Sequence, residues 1–367
     1  MKQDRRHWLK LVGLVAVGVG VQRGGAIAAP VRRVLPEGLS GGPLRLSSNE
    51  NPYGPSPKAR AAMAEAVGLS NRYQWDMILG LMRAIAAKYS LAEANVLVGA
   101  GSTQLIDAVV QHAAMNKGSF VVSAPTFSRW TGAAEKSGLQ KIEVALTAQK
   151  KNDLNGMLAA MRADTQLVYL CNPNNPTGTY CRREDILLFL KEATKKALVL
   201  VDEAYLEYSD EASLAGLVAE NRNLVVVKTF SKIYGLAGAR IGYALGHEKT
   251  IEKIGALQSG SNIGISAVSL AGALASLKDE DFVKETQFKN ATARAYASAH
   301  MERLKISCIP SCTNFIYFSL AKYQEDFFAR LKVHNIEGTN LFEEQGKWSR
   351  ITVGTEAEME QFINAIS

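Results

Sequence analysis

Two hydrophobic patterns alternate along the chain. From Ser56 onward, apolar residues recur at helical spacing, as in Met63 and Val67 and then in the group Ile78, Leu79, Met82 and Ile85. Short β-rich runs follow, several of them apolar throughout, as expected of strands that are covered on both faces. The predicted strands span residues 95–98, 119–123, 166–170, 197–201, 223–227 and 241–245. This alternation predicts an α/β fold whose large domain has a mostly parallel, doubly wound sheet.

The pattern changes after about residue 265. Helical stretches over 267–277 and 279–304 precede a strand at 314–318, a helix at 327–333 and a strand at 350–353. They predict a smaller C-terminal α+β domain. The predicted segments are an N-terminal arm at 29–50, a large domain at 51–265 and a small domain at 266–367.

Residues 1–28 have the order of an export signal. The paired Arg5-Arg6, with Trp8, Leu9 and Lys10 after it, resembles a twin-arginine signal. An uncharged apolar run at 11–21 and small residues at 26–28 follow. The run is well short of the roughly twenty residues that span a bilayer. We therefore expect cleavage after Ala28 and a periplasmic protein, the alternative being an uncleaved signal that retains it at the inner membrane.

Composition and charge exclude several classes of protein. The chain has 367 residues, 47% of them hydrophobic, which rules out a disordered or fibrous protein. The formal charge is +7, but without residues 1–28 there remain 37 basic and 34 acidic residues, a net charge of +3. With no basic run, this balance argues against nucleic acid as a partner. The four cysteines have no metal-ligand spacing with histidine, and we expect free thiols and no metal site.

The sharpest chemical signal lies between residues 228 and 243. Ser231-Lys232 stands in a turn rich in hydroxyl side chains, and Arg240 follows eight residues after the lysine. A lysine that forms a Schiff base must be held on such a turn, and hydroxyls with a guanidinium suit a phosphate group. Asp202 ends an apolar strand in the run Val-Asp-Glu-Ala-Tyr, where a buried acid can hold a pyridinium proton.

Two further loops follow predicted strands. Residues 171–178 read Cys-Asn-Pro-Asn-Asn-Pro-Thr-Gly, which predicts an ordered loop. Residues 98–104 end a strand and open a helix, so that backbone N–H groups and the hydroxyls of Ser102 and Thr103 predict an anion site. Each motif is weak by itself. All four, however, follow strands, at whose carboxyl ends open α/β sheets bind ligands.

In this order and at these separations, the motifs resemble those of the fold-type I aminotransferases that use pyridoxal 5′-phosphate, most closely the histidinol-phosphate aminotransferase family. The resemblance runs from Asn49-Glu-Asn-Pro-Tyr-Gly54 to Ile351-Thr-Val-Gly-Thr355. It implies a pyridoxal-phosphate enzyme with an amino acid and a 2-oxo acid as substrates. It also implies a homodimer with shared active sites.

The resemblance assigns roles to single residues. Lys232 matches the lysine that holds the cofactor covalently and moves a proton between substrate and cofactor. Asp202 matches the acid that keeps the pyridine nitrogen protonated, and Tyr205 and Asn175 match the partners of the phenolic oxygen. The remaining matches are the phosphate cradle of Ser102, Thr103, Ser231 and Arg240, the ring-stacking Phe127, and Tyr73, which reaches the phosphate of the neighbouring subunit.

The substrate side departs from the family pattern. Arg350 matches the arginine that fixes the anionic end of the substrate, because a guanidinium fork suits a carboxylate. A second arginine expected upstream is replaced by Thr339, with Glu337 close by, and a tyrosine expected within 258–262 is missing. These losses argue against histidinol phosphate as substrate. The predicted substrate-binding residues are Arg350, Asn175 and Tyr53. Two interpretations stay open for Tyr53, Trp130 and Asn262, which either line the side-chain pocket or serve only in packing. Trp130 would favour an apolar substrate and Glu337 a basic one.

Three functions stay open at this point. The first is amino transfer from an α-amino acid to a 2-oxo acid. The second is a pyridoxal-phosphate oxidase, decarboxylase or lyase, since the sequence does not specify which bond at the substrate Cα lies perpendicular to the cofactor ring. The third is a non-catalytic periplasmic binding protein that retains the cofactor, although every catalytic position is intact.

Overall fold

Strands and helices alternate along most of the chain, and the computed structural model describes residues 42–258 and 264–367. The strands are β1 Leu44–Arg45, β2 Val96–Gly99, β3 Gly118–Ala124, β4 Leu139–Ala145, β5 Thr165–Cys171, β6 Leu198–Asp202, β7 Leu224–Thr229, β8 Gly242–Gly246, β9 Ser307–Ile309, β10 Phe315–Ser319, β11 Ile336–Glu337 and β12 Trp348–Thr352. The helices are α1 Pro57–Ala66, α2 Trp75–Tyr89, α3 Ser102–Ala114, α4 Thr131–Lys136, α5 Leu154–Ala160, α6 Arg183–Ala193, α7 Glu248–Gly255, α8 Ala267–Leu277, α9 Glu280–Arg303, α10 Phe327–Val333 and α11 Glu356–Ile366. The predicted signal at 1–28 and most of the predicted arm lie outside the described residues.

Within the described residues, seven strands form the central sheet in the order β2, β8, β7, β6, β5, β3, β4. Strand β8 is antiparallel to both of its neighbours, whereas β7, β6, β5, β3 and β4 are parallel to one another. Strands β2, β7 and β8 are buried along their whole length, and separate hydrophobic clusters cover the two faces of the sheet. The predicted α/β fold class is thereby confirmed.

Strand β4 is the one member of this sheet that the hydrophobic pattern did not predict. It lies at the edge, next to β3, and only its first residue, Leu139, is buried. Its remaining residues are exposed or half-buried, including Lys141 and Glu143, whose side chains form an ion pair. An edge strand with charged side chains resists pairing with another chain, but it lacks the apolar run that predicts a buried strand.

A second sheet and a separate core occupy the C-terminal part. Strands β12, β10 and β9 pair antiparallel, and α9, α10 and α11 contribute to their hydrophobic cluster. Strand β1 pairs with β11, and Leu46 belongs to this same cluster. By contrast, α8 contributes Leu270 and Ala273 to the core of the large sheet. The packing therefore differs from the predicted division at 265/266: α8 joins the large core and residues 44–46 join the small one.

Some apolar positions on the first helices do not face the core. Val67 and Leu79 fit the helical spacing of the sequence, yet their exposed fractions are 61% and 41%. Ile78 and Ile85, from the same pattern, are buried as predicted. None of the helices in the described ranges has the length and apolar character needed to cross a membrane.

Candidate active site

The predicted cofactor residues meet at one edge of the central sheet. Strands β3, β5, β6 and β7 end there, and the antiparallel β8 begins there, two residues after Arg240. The edge opens into a cavity of about 430 Å³. Its lining includes Ser102, Thr103, Phe127, Asn175, Asp202, Tyr205, Ser231, Lys232, Arg240 and Arg350.

One end of the cavity is built to hold an anion. Helix α3 begins at Ser102, so its first N–H groups and the hydroxyls of Ser102 and Thr103 stand at this end. Arg240 Nη1 lies 3.4 Å from Ser231 Oγ. Gly101 has a φ of +87°, and a Cβ at this position would lie 2.2 Å from Arg240 Nη2. Glycine is thus required for the arginine to approach the helix N-terminus.

Asp202 is the buried acid of the site. It ends β6, where it pairs in register with Cys171 of β5 and Val227 of β7. Tyr169 Oη donates to Asp202 Oδ2 at 2.8 Å, and the backbone N–H of Ala204 donates to Oδ1 at 3.1 Å. Burial raises the pKa of the Asp202 carboxyl, whereas these two donors lower it. The donors therefore stabilise the carboxylate form in a poorly solvated place.

Lys232 stands on the turn that follows β7. Asn51 Nδ2 donates to the carbonyl of Ile233 at 2.8 Å, and Gly235, with a φ of +69°, allows Gly54 to pack against the turn. The half-buried Lys232 Nζ donates to the carbonyl oxygens of Ser48 and Asn49, both at 3.1 Å. Burial, followed by the charge of Arg350, lowers the pKa of Lys232 to about 8, from the usual 10.5 of a lysine.

Four residues earlier, Lys228 has the opposite surroundings. Its ammonium group is fully buried between Glu203 at 3.0 Å and Glu207 at 2.8 Å. Burial by itself disfavours the charge, but the two carboxylates outweigh it and raise the pKa of Lys228 well above the usual value. Lys228 is therefore held as a cation, and Lys232 is the lysine that can be a neutral nucleophile near physiological pH.

The lowered pKa of Lys232 predicts how the apoprotein takes up an aldehyde cofactor. Only the neutral amine attacks an aldehyde, so the rate of covalent attachment should rise with pH and reach half its maximum near pH 8. Stopped-flow absorbance with the apoprotein measures this rate from pH 6 to 10. A half-maximum at pH 10 or above would contradict the assignment of a lowered pKa to Lys232.

Tyr205 and Asn175 form a polar pair beside the lysine. The Tyr205 hydroxyl oxygen accepts hydrogen bonds from Asn49 Nδ2 at 3.0 Å and from Asn175 Nδ2 at 3.3 Å. With both acceptor positions occupied, the hydroxyl proton remains available for donation. Lys232 Nζ lies 5.6 Å from the centre of the Tyr205 ring. The phenol is thus oriented as a donor next to the reactive amine.

Arg350 reaches the cavity from β12 of the small sheet. It is buried, with Nη1 donating to Asn175 Oδ1 and Nη2 donating to the carbonyl of Ser47 at 2.7 Å. Its Nε has no hydrogen-bond partner among the described residues. The rings of Phe315 and Phe342 lie 5.4 and 5.3 Å from its Cζ. An unpaired N–H on a buried guanidinium can donate a hydrogen bond to an anionic ligand.

Three of the predicted substrate and subunit contacts lie elsewhere. Tyr53 is half-buried outside the cavity lining, with Lys289 Nζ 5.0 Å from its ring, and its backbone N–H donates to Asn51 Oδ1. Trp130 is packed between Phe120 and Tyr169, and its indole N–H donates to the carbonyl of Phe127. Tyr73 lies on the surface of the chain, and its role toward a second subunit stays a prediction.

Of the two losses on the substrate side, the replacement at Thr339 lies within the described residues, whereas the segment that lacks the tyrosine lies outside them after Gln258. Thr339 does not line the cavity, because its hydroxyl donates to the backbone carbonyl of Arg350. Glu337 is also outside the lining and accepts a hydrogen bond from Ser47 Oγ at 2.7 Å. Ser47 itself lines the cavity, so the selection of a basic substrate by Glu337 stays a prediction. Asn262 lies outside the described residues.

Several residues of the site escaped the sequence analysis. Tyr169 supports Asp202 from the neighbouring strand, Asn49 orients Tyr205, and Arg129 and Phe342 line the cavity. Arg129 follows the predicted Phe127 by two residues, so the rule that ligands bind beyond strand ends pointed to its loop. Asn49 opens the Asn49–Gly54 segment of the family resemblance, but the resemblance gave it no role of its own. Tyr169 and Phe342 belong to no motif, and they reach the site from separate parts of the chain.

This geometry fits each part of pyridoxal 5′-phosphate. The anion site suits the phosphate, Asp202 suits a protonated pyridine nitrogen, Phe127 offers an aromatic face, and Tyr205 offers a donor for the phenolic oxygen. Lys232 supplies the amine that binds the aldehyde. Fold and site together define a fold-type I pyridoxal-phosphate enzyme. When bound, the cofactor supplies an electron sink for the negative charge that develops at the substrate carbon.

Comparison with known proteins agrees with this class. The family model described as aminotransferase class I and II matches residues 42–366, and the chain belongs to that family. It is 33% identical over 334 residues to the histidinol-phosphate aminotransferase of Moorella thermoacetica, which covers 88% of this chain and 84% of the relative. It is 35% identical over 320 residues to that of a Ruegeria species, covering 85% and 86%. The histidinol-phosphate aminotransferase of Sinorhizobium meliloti, solved with pyridoxal-5′-phosphate, superposes with a TM-score of 0.78 at 27% identity, covering 88% and 89%.

Proposed function

We propose that this enzyme transfers the amino group of an α-amino acid to a 2-oxo acid. The observation that carries the proposal is the buried Arg350, which lines the same cavity as Lys232 and whose Nε has no hydrogen-bond partner among the described residues. A planar guanidinium suits an α-carboxylate, which it can bind through two parallel hydrogen bonds. Held this way, the substrate presents its Cα to Lys232, whose lowered pKa suits it to remove and return a proton near neutral pH.

The decisive experiment separates transamination from the other reactions of this fold. When an amino acid is added without a 2-oxo acid, the enzyme should convert bound pyridoxal phosphate to pyridoxamine phosphate in a single turnover. Chromatography of the released cofactor quantifies the conversion. An oxidase, decarboxylase or lyase would return the cofactor as pyridoxal phosphate, and a pure binding protein would give no reaction with any amino acid.

Histidinol phosphate should be a poor substrate. It has no α-carboxylate, and its phosphate would have to bind without the arginine that Thr339 replaces. One missing charge-assisted hydrogen bond is worth about 1.5–3 kcal/mol, so kcat/KM should be at least about tenfold below that of the best α-amino acid. Steady-state kinetics with a panel of amino acids and histidinol phosphate measure the ratio. A clear preference for histidinol phosphate over every α-amino acid would contradict this part of the proposal.

The proposal includes a homodimer with shared active sites. It is supported by the exposed apolar side chains of Val67, Tyr73, Trp75 and Leu79, since Tyr73 is 75% exposed and Trp75 50% exposed. Such side chains suit a subunit interface better than open solvent. Sedimentation equilibrium should give the mass of two chains, and Tyr73→Phe should weaken retention of the cofactor phosphate. A fully active monomer would contradict this part.

Export through the twin-arginine pathway is the last part of the proposal. It rests on the residues at 1–28, and export of the folded protein would allow the chain to bind its cofactor before crossing. In a Gram-negative host, replacing Arg5-Arg6 by Lys-Lys should leave the protein in the cytoplasm, while the unmodified chain should reach the periplasm and begin at Ala29. Fractionation with N-terminal sequencing measures both. Recovery of the full chain in the membrane fraction would favour an uncleaved anchor.

A further inference from the structure

The cavity contains a second arginine that the cofactor does not require. Arg129 lies in the loop that follows β3, with its side chain exposed and lining the same cavity as Arg350 and Phe342. Within residues 42–258 and 264–367, no carboxylate forms an ion pair with it. An exposed guanidinium at the wall of an active-site cavity is free to meet a ligand.

The other charges of the cavity already have partners or assigned roles. Glu50 pairs with Arg45, and Asp202 accepts the Tyr169 hydroxyl. Arg240 stands at the phosphate end, and Lys232 is the amine that binds the aldehyde. On the substrate side this leaves Arg350 for one anionic group and Arg129 for another.

The two arginines are also close enough to influence each other. Burial lowers the pKa of Arg350, and the positive charge of Arg129 lowers it further. Two cations facing one cavity repel each other until anions bind between or beside them. Two anionic groups on one ligand would relieve this repulsion, and a neutral side chain would not.

We propose that Arg129 binds a second anionic group, so that the preferred substrates are amino acids whose side chain carries a carboxylate or a phosphate. This inference rests on the proposed transamination of α-amino acids, in which Arg350 holds the α-carboxylate. Arg129 would act in specificity and binding, since nothing places it at the reacting carbon. It also replaces the predicted role of Trp130, which is buried away from the cavity.

The test compares matched pairs of substrates. The kcat/KM ratios of aspartate to asparagine and of glutamate to glutamine measure the preference for a side-chain carboxylate. The ratio of O-phosphoserine to serine measures the preference for a side-chain phosphate. In the unmodified holoenzyme at least one ratio should be about tenfold or more. Arg129→Gln should reduce that ratio by about tenfold, mostly through KM, and Arg129→Lys should restore part of it because the charge is kept but the fork is lost.

Arg222→Gln is the matched control. Arg222 is exposed and precedes β7, so it lies at the amino ends of the parallel strands, opposite the cavity. The same substitution there should leave every ratio unchanged. Calorimetry of the holoenzyme with succinate and butyrate adds a readout that needs no turnover: Arg129→Gln should weaken succinate at least tenfold and change butyrate little.

The outcomes separate this inference from the proposed function. The inference about Arg129 would be overturned if the unmodified and Arg129→Gln enzymes gave equal kcat/KM ratios and equal succinate affinities. If neutral amino acids were still transaminated, the proposed function would stand. Turnover of no amino acid would overturn the proposed transamination, while a selective loss of succinate in Arg129→Gln would still support the second anion site.

Discussion

Lys232→Ala is expected to reduce amino transfer by at least about 10³-fold. The substitution removes the group that binds the cofactor covalently and the base that moves the substrate proton, and a positioned base alone contributes about 10²–10⁴-fold. The cofactor should still bind without a covalent bond, because α3, Ser231 and Arg240 remain. The measurements are single-turnover kinetics and the cofactor content after gel filtration.

Borohydride reduction identifies the lysine directly. In the unmodified enzyme, peptide mapping should place the reduced cofactor on Lys232, and in Lys232→Ala no adduct should form. Lys195→Ala is a suitable control, since Lys195 is an exposed lysine paired with Glu192. An adduct on Lys228 would contradict the assignment, because that amine is buried as a cation between Glu203 and Glu207.

The cofactor side of the site could be predicted because its functional residues lie in short sequence motifs next to strand ends. Asp202, Lys232 and Arg240 each stand next to a buried strand, and parallel strands bring their carboxyl ends to one edge. Apolar runs predict those strands well. Edge strand β4 has no such apolar run, because exposed residues separate its half-buried apolar ones.

The substrate side could be predicted less well, because its residues come together only in the folded chain. Trp130 follows Phe127 by three residues, but its ring lies in the core and packs against Tyr169. Arg129, one residue earlier, faces the cavity instead. Neighbours along a loop can point in opposite directions, and a single arginine in a loop has no pattern that reveals which way it points.

The residues that hold the functional side chains in place could not be predicted from the sequence either. Tyr169 is two residues before the end of β5, in a run that predicts only a buried strand. In the sheet, β5 and β6 are neighbours, and the Tyr169 hydroxyl reaches the Asp202 carboxylate. A hydrogen bond between adjacent strands requires the strand order, which the sequence pattern does not contain.

Asp202→Asn is expected to retain the cofactor and to slow proton removal by about 10²–10⁴-fold. A neutral amide cannot stabilise a protonated pyridine nitrogen, and the unprotonated ring is a poor electron sink. Folding should be preserved, because the Asn amide oxygen can accept from Ala204 and its N–H₂ can donate to the Tyr169 oxygen. Single-turnover kinetics with an α-deuterated amino acid measure the step, and thermal unfolding checks the fold.

Tyr169→Phe tests the Asp202 carboxylate by removing one of its hydrogen-bond donors. Removing the hydroxyl takes away one of the two donors that lower the pKa of Asp202, so burial should raise that pKa further. A carboxyl with a raised pKa is ionised only at higher pH, so the acidic limb of the kcat profile should move to higher pH. Tyr243→Phe, which removes a buried hydroxyl bonded to Tyr89, should leave the profile in place. Unchanged proton removal in Asp202→Asn, together with an unmoved profile in Tyr169→Phe, would remove this carboxylate from the mechanism.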